Sequence, residues 1–237
     1  RTIILFAQQL QQPKYLKPGD SVAIVAPAGI VRDSIPINNA IQWLKSWGLH
    51  VKLGENLYNK EHHFSGTDQE RTSDFQKALD NKNIKAIWCA RGGYGTTRII
   101  DKLDFNTFLQ EPKWVIGFSD ITVLHSHIHT LGVETMHAVM CTSQKNQNKE
   151  KLASIKTFKQ ALFGENISYE IPSSNFNKTG TATGQLVGGN LTLLQNMAGT
   201  VSSINTKGKI LFIEDLDEYL YHVDRMMQNV KRNGKLD

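Results

Sequence analysis

A serine at the end of an apolar stretch has the residue type and setting that acyl-transfer chemistry needs. Ser119 stands in GFSDI, between a predicted strand and a predicted helix. The backbone N–H groups of a first helical turn have no partner inside the helix, so they can stabilise an oxyanion beside the hydroxyl. The structural alternative is helix capping, for which Ser119 and Asp120 are both favoured residue types. Because Ile121 replaces the second glycine of a G-x-S-x-G elbow, the stretch alone favours capping.

A glycine-rich loop is the second candidate. RGGYGTT, residues 91–97, follows a predicted strand, so its backbone can approach a ligand and donate N–H groups. It lacks the G-K-[ST] of a P-loop, and Arg98 stands where a dinucleotide fingerprint has its third glycine. A lone glycine turn usually only reverses the chain. Two such loops at the carboxyl ends of parallel strands, however, would lie at the rim where open α/β sheets bind ligands.

Two polar clusters raise the question of a metal. On a helix, His125 and His129 share one face while His127 points elsewhere, and no carboxylate at matched spacing completes a zinc set. We interpret all three as surface or partly buried helix positions. The run EDLDE, residues 214–218, is equally typical of a helix N-terminus. Glu214 differs because it ends an apolar strand and is expected to point into a cleft. No metal and no cofactor are predicted.

The elements that must position these residues alternate between strand and helix. Apolar runs and stretches of helical period follow one another from residue 19 onward. A capping box of Thr67 and Glu70 predicts one helix start, and Gly48 predicts the end of another helix. Residues 95–103 predict a third helix. This βαβα order indicates a mainly parallel sheet covered by helices.

A polar, loop-like stretch divides the chain. We expect an N-terminal arm (1–13), a first domain (14–143), a linker (144–178) and a partial C-terminal domain (179–237). In the last of these, Asn190 is predicted to cap a short helix. A final helix is expected to start near Asp217 and to bury four apolar residues at helical spacing, namely Leu220, Val223, Met227 and Val230.

Composition excludes several classes of protein. The chain has 237 residues and 40% hydrophobic content, enough for one large domain or two smaller ones. The net charge is +5, but the 27 Lys and Arg form no basic stripe, so no nucleic-acid partner is predicted. No segment approaches the ~20 apolar residues of a membrane span. Cys89 and Cys141 are predicted to be buried thiols, which favours the reducing cytoplasm, although the N-terminal arm leaves export open.

Five stretches in a fixed order carry a family resemblance. They are GTDQERTSDFQKAL, IWCARGGYGTTRIIDKLD, PKWVIGFSDITVLH, GQLVGGNLTLL and ILFIEDLDEYLYHVDRMM. This set resembles the LD-carboxypeptidases, serine peptidase family S66, which also includes microcin C self-immunity hydrolases. An ordered set is far more specific than any one motif, and this one covers the chain from about residue 13 onward. The resemblance implies a flavodoxin-like N-terminal domain and a smaller α+β C-terminal domain, with the site in the cleft between them.

The resemblance also assigns roles to residues. It places the nucleophile on Ser119, the triad carboxylate on Glu214, and the oxyanion donors on the backbone N–H groups of Gly93 and Asp120. The residue types fit, since a base must take the serine proton and a carboxylate must orient that base.

Two residues of the glycine loop are candidates for substrate binding. Arg91 would pair with the terminal carboxylate of a peptide, although a structural ion pair is at least an equal alternative. Tyr94 lies in the same loop and is the second candidate.

The sequence departs from the family pattern at two places. The family's catalytic histidine lies in a glycine-rich segment beyond DRMM, and this sequence ends at Asp237 before reaching it. We therefore expect the natural chain to continue and these residues alone to be inactive. His222, the only histidine after Glu214, is expected to be an exposed or half-buried helix residue. Ala138 stands where the family usually has the glycine of a His-Gly-Pro type turn.

Three functions follow as hypotheses. The first is hydrolysis of a murein tetrapeptide in peptidoglycan recycling, with release of the terminal D-alanine through an acyl-enzyme on Ser119, by a homodimer. The second is cleavage of an aminoacyl-sulfamoyl adenylate by the same triad. That substrate would need an aromatic residue to stack on adenine, and the sequence singles out none. The third is a non-catalytic protein that holds an anion or peptide with its two loops.

Overall fold

The larger sheet has five strands, and the computed structural model describes residues 10–144 and 148–236. The strands are β1 (Ser21–Val25), β2 (His50–Leu53), β3 (Ile84–Cys89), β4 (Trp114–Gly117) and β5 (Met136–His137). They pair in the order β2-β1-β3-β4-β5, every pair parallel, which is the order of flavodoxin-like folds. The α/β prediction is confirmed. Most of the predicted N-terminal arm lies outside the described residues.

Helices cover both faces of this sheet. They are α1 (Ser34–Ser46), α2 (Asp68–Asp80), α3 (Asn106–Gln110), α4 (Thr122–Thr130) and α5 (Lys149–Leu162). Alternate strand residues face opposite layers, so Trp88 packs in the core formed with α1 and α5, while Ile87 and Cys89 pack in the core formed with α2, α3 and α4. Burial on both faces explains why the central strands are continuous apolar runs.

The second sheet has two parallel strands, β6 (Leu186–Asn190) and β7 (Ile210–Glu214), with helices α6 (Leu191–Asn196) and α7 (Leu220–Arg232). It contacts the first domain at α4. The Asn190 N–H donates to Thr122 Oγ1 at 3.0 Å. A Cβ on Gly189 would lie 2.6 Å from the same oxygen, so only glycine permits this approach. The second sheet is thereby joined to the helix that follows Ser119.

Local capping predictions are confirmed. Thr67 and Glu70 form the complete capping box at the start of α2. The Asn190 side chain accepts from the Leu193 N–H and caps α6. Gly48 directly follows the end of α1 with a φ of 79°, a conformation that favours glycine.

Two helix predictions were wrong. Residues 95–103 form two short 3₁₀ turns, Thr96–Arg98 and Ile100–Lys102, rather than one α-helix. This tighter path buries the adjacent residues Ile99 and Ile100 together. The final helix begins at Leu220, because Asp217 has a φ of 64°, which a helix cannot contain.

The buried face of α7 is shorter than predicted. Val230 is buried, and Val223 and Met227 are partly buried against α6 and the second sheet. Leu220, however, is 88% exposed. It stands in the first turn of α7, beyond the part of the helix that packs against α6. The apolar period of the sequence therefore continues where no neighbour covers the helix.

The predicted linker contains a helix that belongs to the first core. Helix α5 packs Ile155, Phe158 and Leu162 against the sheet. Residues 164–184 are exposed and contain no helix or strand. The domain boundaries stay predictions.

Cys89 and Cys141 are both buried free thiols, as expected. None of the helices in the described part of the chain is long and apolar enough to cross a membrane.

Candidate active site

The turn after β4 holds Ser119 in a strained backbone conformation. Its φ is 61°, in the left-handed region, which costs a non-glycine residue about 1 kcal/mol or more. The N-cap of the 3₁₀ turn Ser119–Ile121 is Phe118, and no side chain caps this turn or α4. The capping hypothesis is therefore wrong for Ser119 and for Asp120. A strained strand-to-helix turn is the geometry that exposes a nucleophilic hydroxyl in the serine elbow, although Ile121 departs from that sequence pattern.

His125, on α4, supports this turn through a hydrogen bond to its backbone. Its Nε2–H donates to the Gly117 carbonyl at 2.9 Å, and the same carbonyl accepts from the Ala138 N–H at 3.0 Å. His125 is only 6% exposed, so the prediction of a surface or partly buried position was wrong for this residue. Burial lowers its pKa to about 4, and the ring is therefore neutral at pH 7.

The other two helix histidines are partly buried, as predicted. His127 Nδ1 lies 2.9 Å from Ser202 Oγ, and His129 Nε2 accepts from Lys209 Nζ at 2.8 Å. Both contacts join α4 to residues that follow α6. Within residues 10–144 and 148–236, no group of His, Cys, Asp and Glu side chains could hold a metal ion.

The glycine loop lies directly against Ser119. A Cβ on Gly92 would be 3.1 Å from Ser119 Cβ and 3.2 Å from its Oγ. The Gly92 carbonyl accepts from the Gly29 N–H at 2.9 Å, and Gly93 has a φ of 101°. Among the described residues, neither the Gly93 N–H nor the Asp120 N–H has an acceptor. Two backbone donors are thus available in the two turns that meet at the hydroxyl.

The Asp120 carboxylate is buried beneath the same junction. Its Oδ2 accepts from the Thr96 N–H at 2.8 Å and from the Thr96 hydroxyl. Its Oδ1 is buried and has no partner among the described residues. Burial raises the pKa of this carboxyl, and the Thr96 hydrogen bonds partly offset that rise.

The two candidate substrate-binding residues differ in exposure. Arg91 is half-buried, and its Nη1 donates to the Ile30 carbonyl at 2.6 Å. In the described part of the chain it forms no ion pair, so its structural role is a backbone hydrogen bond. Tyr94 is 49% exposed and its ring lies 5.9 Å from His63 and 5.6 Å from Phe64.

Glu214 ends β7 and is paired in register with Asn190. Its Oε1 is buried without a partner among the described residues. Burial raises its pKa, and the neighbouring Asp215 adds to the rise. Asp215 is instead fully engaged, since its carboxylate accepts from Asn190, from Thr192 and from its neighbour's N–H. Of the two adjacent acids, Glu214 has the free oxygen.

No imidazole reaches this carboxylate or the serine within the described residues. His222 lies on α7, is partly buried, and its Nδ1 is 2.8 Å from Glu218 Oε2, as the helix interpretation predicted. The Ser119 hydroxyl has no hydrogen-bond partner in the same part of the chain.

Sequence reasoning missed Arg71. This buried guanidinium donates to the Pro27 and Gly95 carbonyls and forms an ion pair with Asp68. It therefore connects the loops after β1 and β3 to the start of α2. The i, i+3 spacing of Asp68 and Arg71 was the available signal, but it indicates a surface pair rather than a buried one.

Comparisons with known proteins agree with this architecture. The family model described as the LD-carboxypeptidase N-terminal domain matches residues 22–138, and the C-terminal domain model matches residues 183–237. The chain is 39% identical to a probable murein peptide carboxypeptidase from Bacillus subtilis, covering 95% of this chain and 71% of the relative.

Solved structures agree as well. A muramoyltetrapeptide carboxypeptidase from Oxalobacter formigenes is 30% identical with a TM-score of 0.77, over 91% of this chain and 72% of that one. An MccF-like protein from Bacillus anthracis is 26% identical with a TM-score of 0.83, over 94% and 76%.

Proposed function

Because the chain belongs to the LD-carboxypeptidase family, peptidase family S66, we propose that it is a serine-type LD-carboxypeptidase that releases the terminal D-alanine of murein tetrapeptides. One observation carries the proposal. Ser119 is held at a φ of 61°, caps no helix, and lies against the glycine loop. Strain of this kind persists where the surroundings impose it and clusters at functional sites.

In the proposed reaction, a histidine base takes the proton of the Ser119 hydroxyl as Oγ attacks the carbonyl carbon of the LD bond. The resulting oxyanion accepts hydrogen bonds from the Gly93 and Asp120 N–H groups. Collapse expels the D-alanine amine, which takes the proton from the base, and water then hydrolyses the acyl-enzyme. Each oxyanion donor contributes about 3 kcal/mol to transition-state stabilisation.

Glu214 is proposed to orient the base. A buried carboxylate oxygen without a partner is an acceptor for an imidazole N–H, which would fix the ring's tautomer. Burial and the neighbouring Asp215 raise the pKa of Glu214, so pairing with an imidazolium would favour its ionised form.

Substrate binding is proposed for Arg91 and Tyr94. The Arg91 guanidinium has further N–H groups beyond the one donated to Ile30, and these can pair with the terminal carboxylate of the peptide. The exposed ring of Tyr94 lies in the same loop and offers an apolar surface to the adjoining residue.

The second candidate is cleavage of an aminoacyl-sulfamoyl adenylate. The similarity to a protein that resembles MccF, the microcin C7 self-immunity protein, favours it. Such a substrate needs a ring to stack on adenine, and the exposed face of Tyr94 is the ring we assign to it.

The test uses protein expressed from the complete reading frame. D-alanine release from a murein tetrapeptide is measured beside hydrolysis of glutamyl-sulfamoyl adenosine. The proteins compared are the wild type, Ser119→Ala and the control Ser46→Ala, an exposed residue at the end of α1. We expect tetrapeptide turnover that Ser119→Ala abolishes and Ser46→Ala leaves unchanged. Turnover of the adenosine compound alone would support the second candidate. Binding of tetrapeptide without turnover of either would contradict both and favour a non-catalytic binding protein.

We also propose that the protein acts in the cytoplasm and assembles as a homodimer. Two buried free thiols fit the reducing cytoplasm, where peptidoglycan fragments are recycled. The family resemblance supports a homodimer. Light scattering after size-exclusion chromatography would measure its mass, and a monomer at all concentrations would contradict it.

A further inference from the structure

We infer that the Asp120 side chain is a positioning residue that fixes the distance between the two oxyanion donors; this inference rests on the proposed function. The two donors belong to separate loops, Gly93 after β3 and Asp120 after β4. A hole built from separate loops works only if those loops are held together, because a displacement of about 1 Å can cost about 100-fold in rate.

The Asp120 carboxylate makes the connection between these loops. Its Oδ2 accepts from both the N–H and the hydroxyl of Thr96, three residues after Gly93. The residue is 2% exposed, so these hydrogen bonds are shielded from bulk solvent. Its own backbone N–H is the second proposed donor. One residue therefore carries a donor on its main chain and holds the other donor's loop with its side chain.

Arg71 fixes the far side of the same loop. Its Nη1 donates to the Gly95 carbonyl at 2.9 Å and to the Pro27 carbonyl, and its side chain is fully buried. Gly95 directly precedes Thr96. The short segment from Gly93 to Thr96 is therefore held by the buried Arg71 at Gly95 and by the buried Asp120 carboxylate at Thr96. The segment has little freedom to move away from Ser119.

A purely structural role does not account for Asp120. Asp74 is a matched case: it is 5% exposed and joins a loop to α2, and both of its oxygens accept hydrogen bonds from Asn56. Asp120 instead leaves Oδ1 buried without a partner among the described residues. A buried oxygen without a hydrogen bond lowers the stability of the fold, so the position is not optimised for folding.

The experiment compares Asp120→Ala with Asp74→Ala in protein from the complete reading frame, at a temperature where both are folded by circular dichroism. For Asp120→Ala we expect kcat for D-alanine release to fall about 100-fold with KM within about threefold, since oxyanion contacts form only in the transition state. For Asp74→Ala we expect lower stability and a kcat within about threefold of the wild type.

Two conservative variants sharpen the test. Asp120→Asn keeps an oxygen that accepts from Thr96, so it should restore most of the lost kcat. Thr96→Val removes only the hydroxyl hydrogen bond and should give an intermediate loss. A kcat for Asp120→Ala that stays within threefold of the wild type, or falls no more than that of Asp74→Ala, would overturn the inference.

The two proposals fail separately. If Ser119→Ala retains D-alanine release, the proposed function fails. If Ser119→Ala is inactive while Asp120→Ala keeps its kcat, only the positioning role fails.

Discussion

The turns that follow β3 and β4 meet at one place but obtain their left-handed backbone from different residues. After β3, Gly93 and Gly95 have φ values of 101° and 142°, which glycine adopts readily. After β4, Ser119 has a φ of 61°, at a cost of about 1 kcal/mol or more. In the proposed site, Gly93 contributes only a backbone donor to the oxyanion, whereas Ser119 contributes a side-chain hydroxyl. Backbone strain is therefore tolerated at Ser119, where a side chain is needed, whereas glycine avoids it in the other turn.

The largest effect should come from removing Glu214, the carboxylate that we propose orients the base. Glu214→Gln keeps the shape of the side chain but favours the wrong tautomer of a bound imidazole, and we expect kcat to fall about 10⁴-fold. Steady-state D-alanine release checks this, with Glu218→Gln, a partly buried acid in the turn before α7, as the control. Equal activity in the two variants would remove Glu214 from the mechanism.

A smaller loss should follow from placing a methyl group between the two turns. The Cβ of Gly92→Ala would lie 3.1 Å from Ser119 Cβ and 3.3 Å from Met140 Cε, so the serine must shift. We expect kcat to fall about 100-fold. Gly184→Ala is the control, because its nearest neighbour would be an ordinary 3.5 Å away. A wild-type rate for Gly92→Ala would mean that the two turns do not need their close contact.

The next effect concerns His125, which supports the serine turn. Lowering the pH should reduce the free energy of unfolding. The unfolded chain protonates His125 near pH 6.5, but the folded chain keeps it neutral until about pH 4, because burial lowers its pKa. Between these values the unfolded state binds more protons, so the free energy of unfolding falls by about 1.4 kcal/mol per pH unit as pH drops. Urea unfolding across this window checks the slope.

The matched variant for this prediction is His125→Gln, whose amide can still donate to the Gly117 carbonyl. In this variant the slope between about pH 4 and pH 6.5 should be smaller by about 1.4 kcal/mol per pH unit. An unchanged slope in His125→Gln would show that another group is responsible.

The smallest effect should come from relieving the backbone strain at Ser119. Ser119→Gly should be more stable than Ser119→Ala by about 1 kcal/mol, because both lack the hydroxyl and only glycine relaxes at a φ of 61°. His62→Gly, at a φ of 53° in a surface loop, gives the reference for relief of the same strain at a position outside the site. Urea unfolding at pH 7 measures both. Equal stability of the two Ser119 variants would mean that the turn stores no strain.

Local chemistry made part of the molecule predictable from sequence. The capping box of Thr67 and Glu70 and the Asn190 cap depend on neighbouring residues, and both were predicted. Strand and helix periods gave the parallel sheet. Leu220 was misassigned because a periodic pattern does not say where the neighbouring helix ends.

The site itself depended on contacts that sequence does not encode locally. Asp120 and Thr96 are 24 residues apart, and Arg71 and Pro27 are 44 apart. The positive φ of Ser119 was not predicted, because the sequence GFSDI on its own favours a helix cap. His125 looks like a surface residue until α4 is placed on the sheet.

Labelling of Ser119 tests the central claim most directly. Protein from the complete reading frame would be treated with a fluorophosphonate, and its peptides mapped by mass spectrometry. We expect one adduct on the peptide that contains Ser119, with loss of D-alanine release in proportion to labelling. An adduct on another residue, or full tetrapeptide turnover by protein labelled at Ser119, would contradict it.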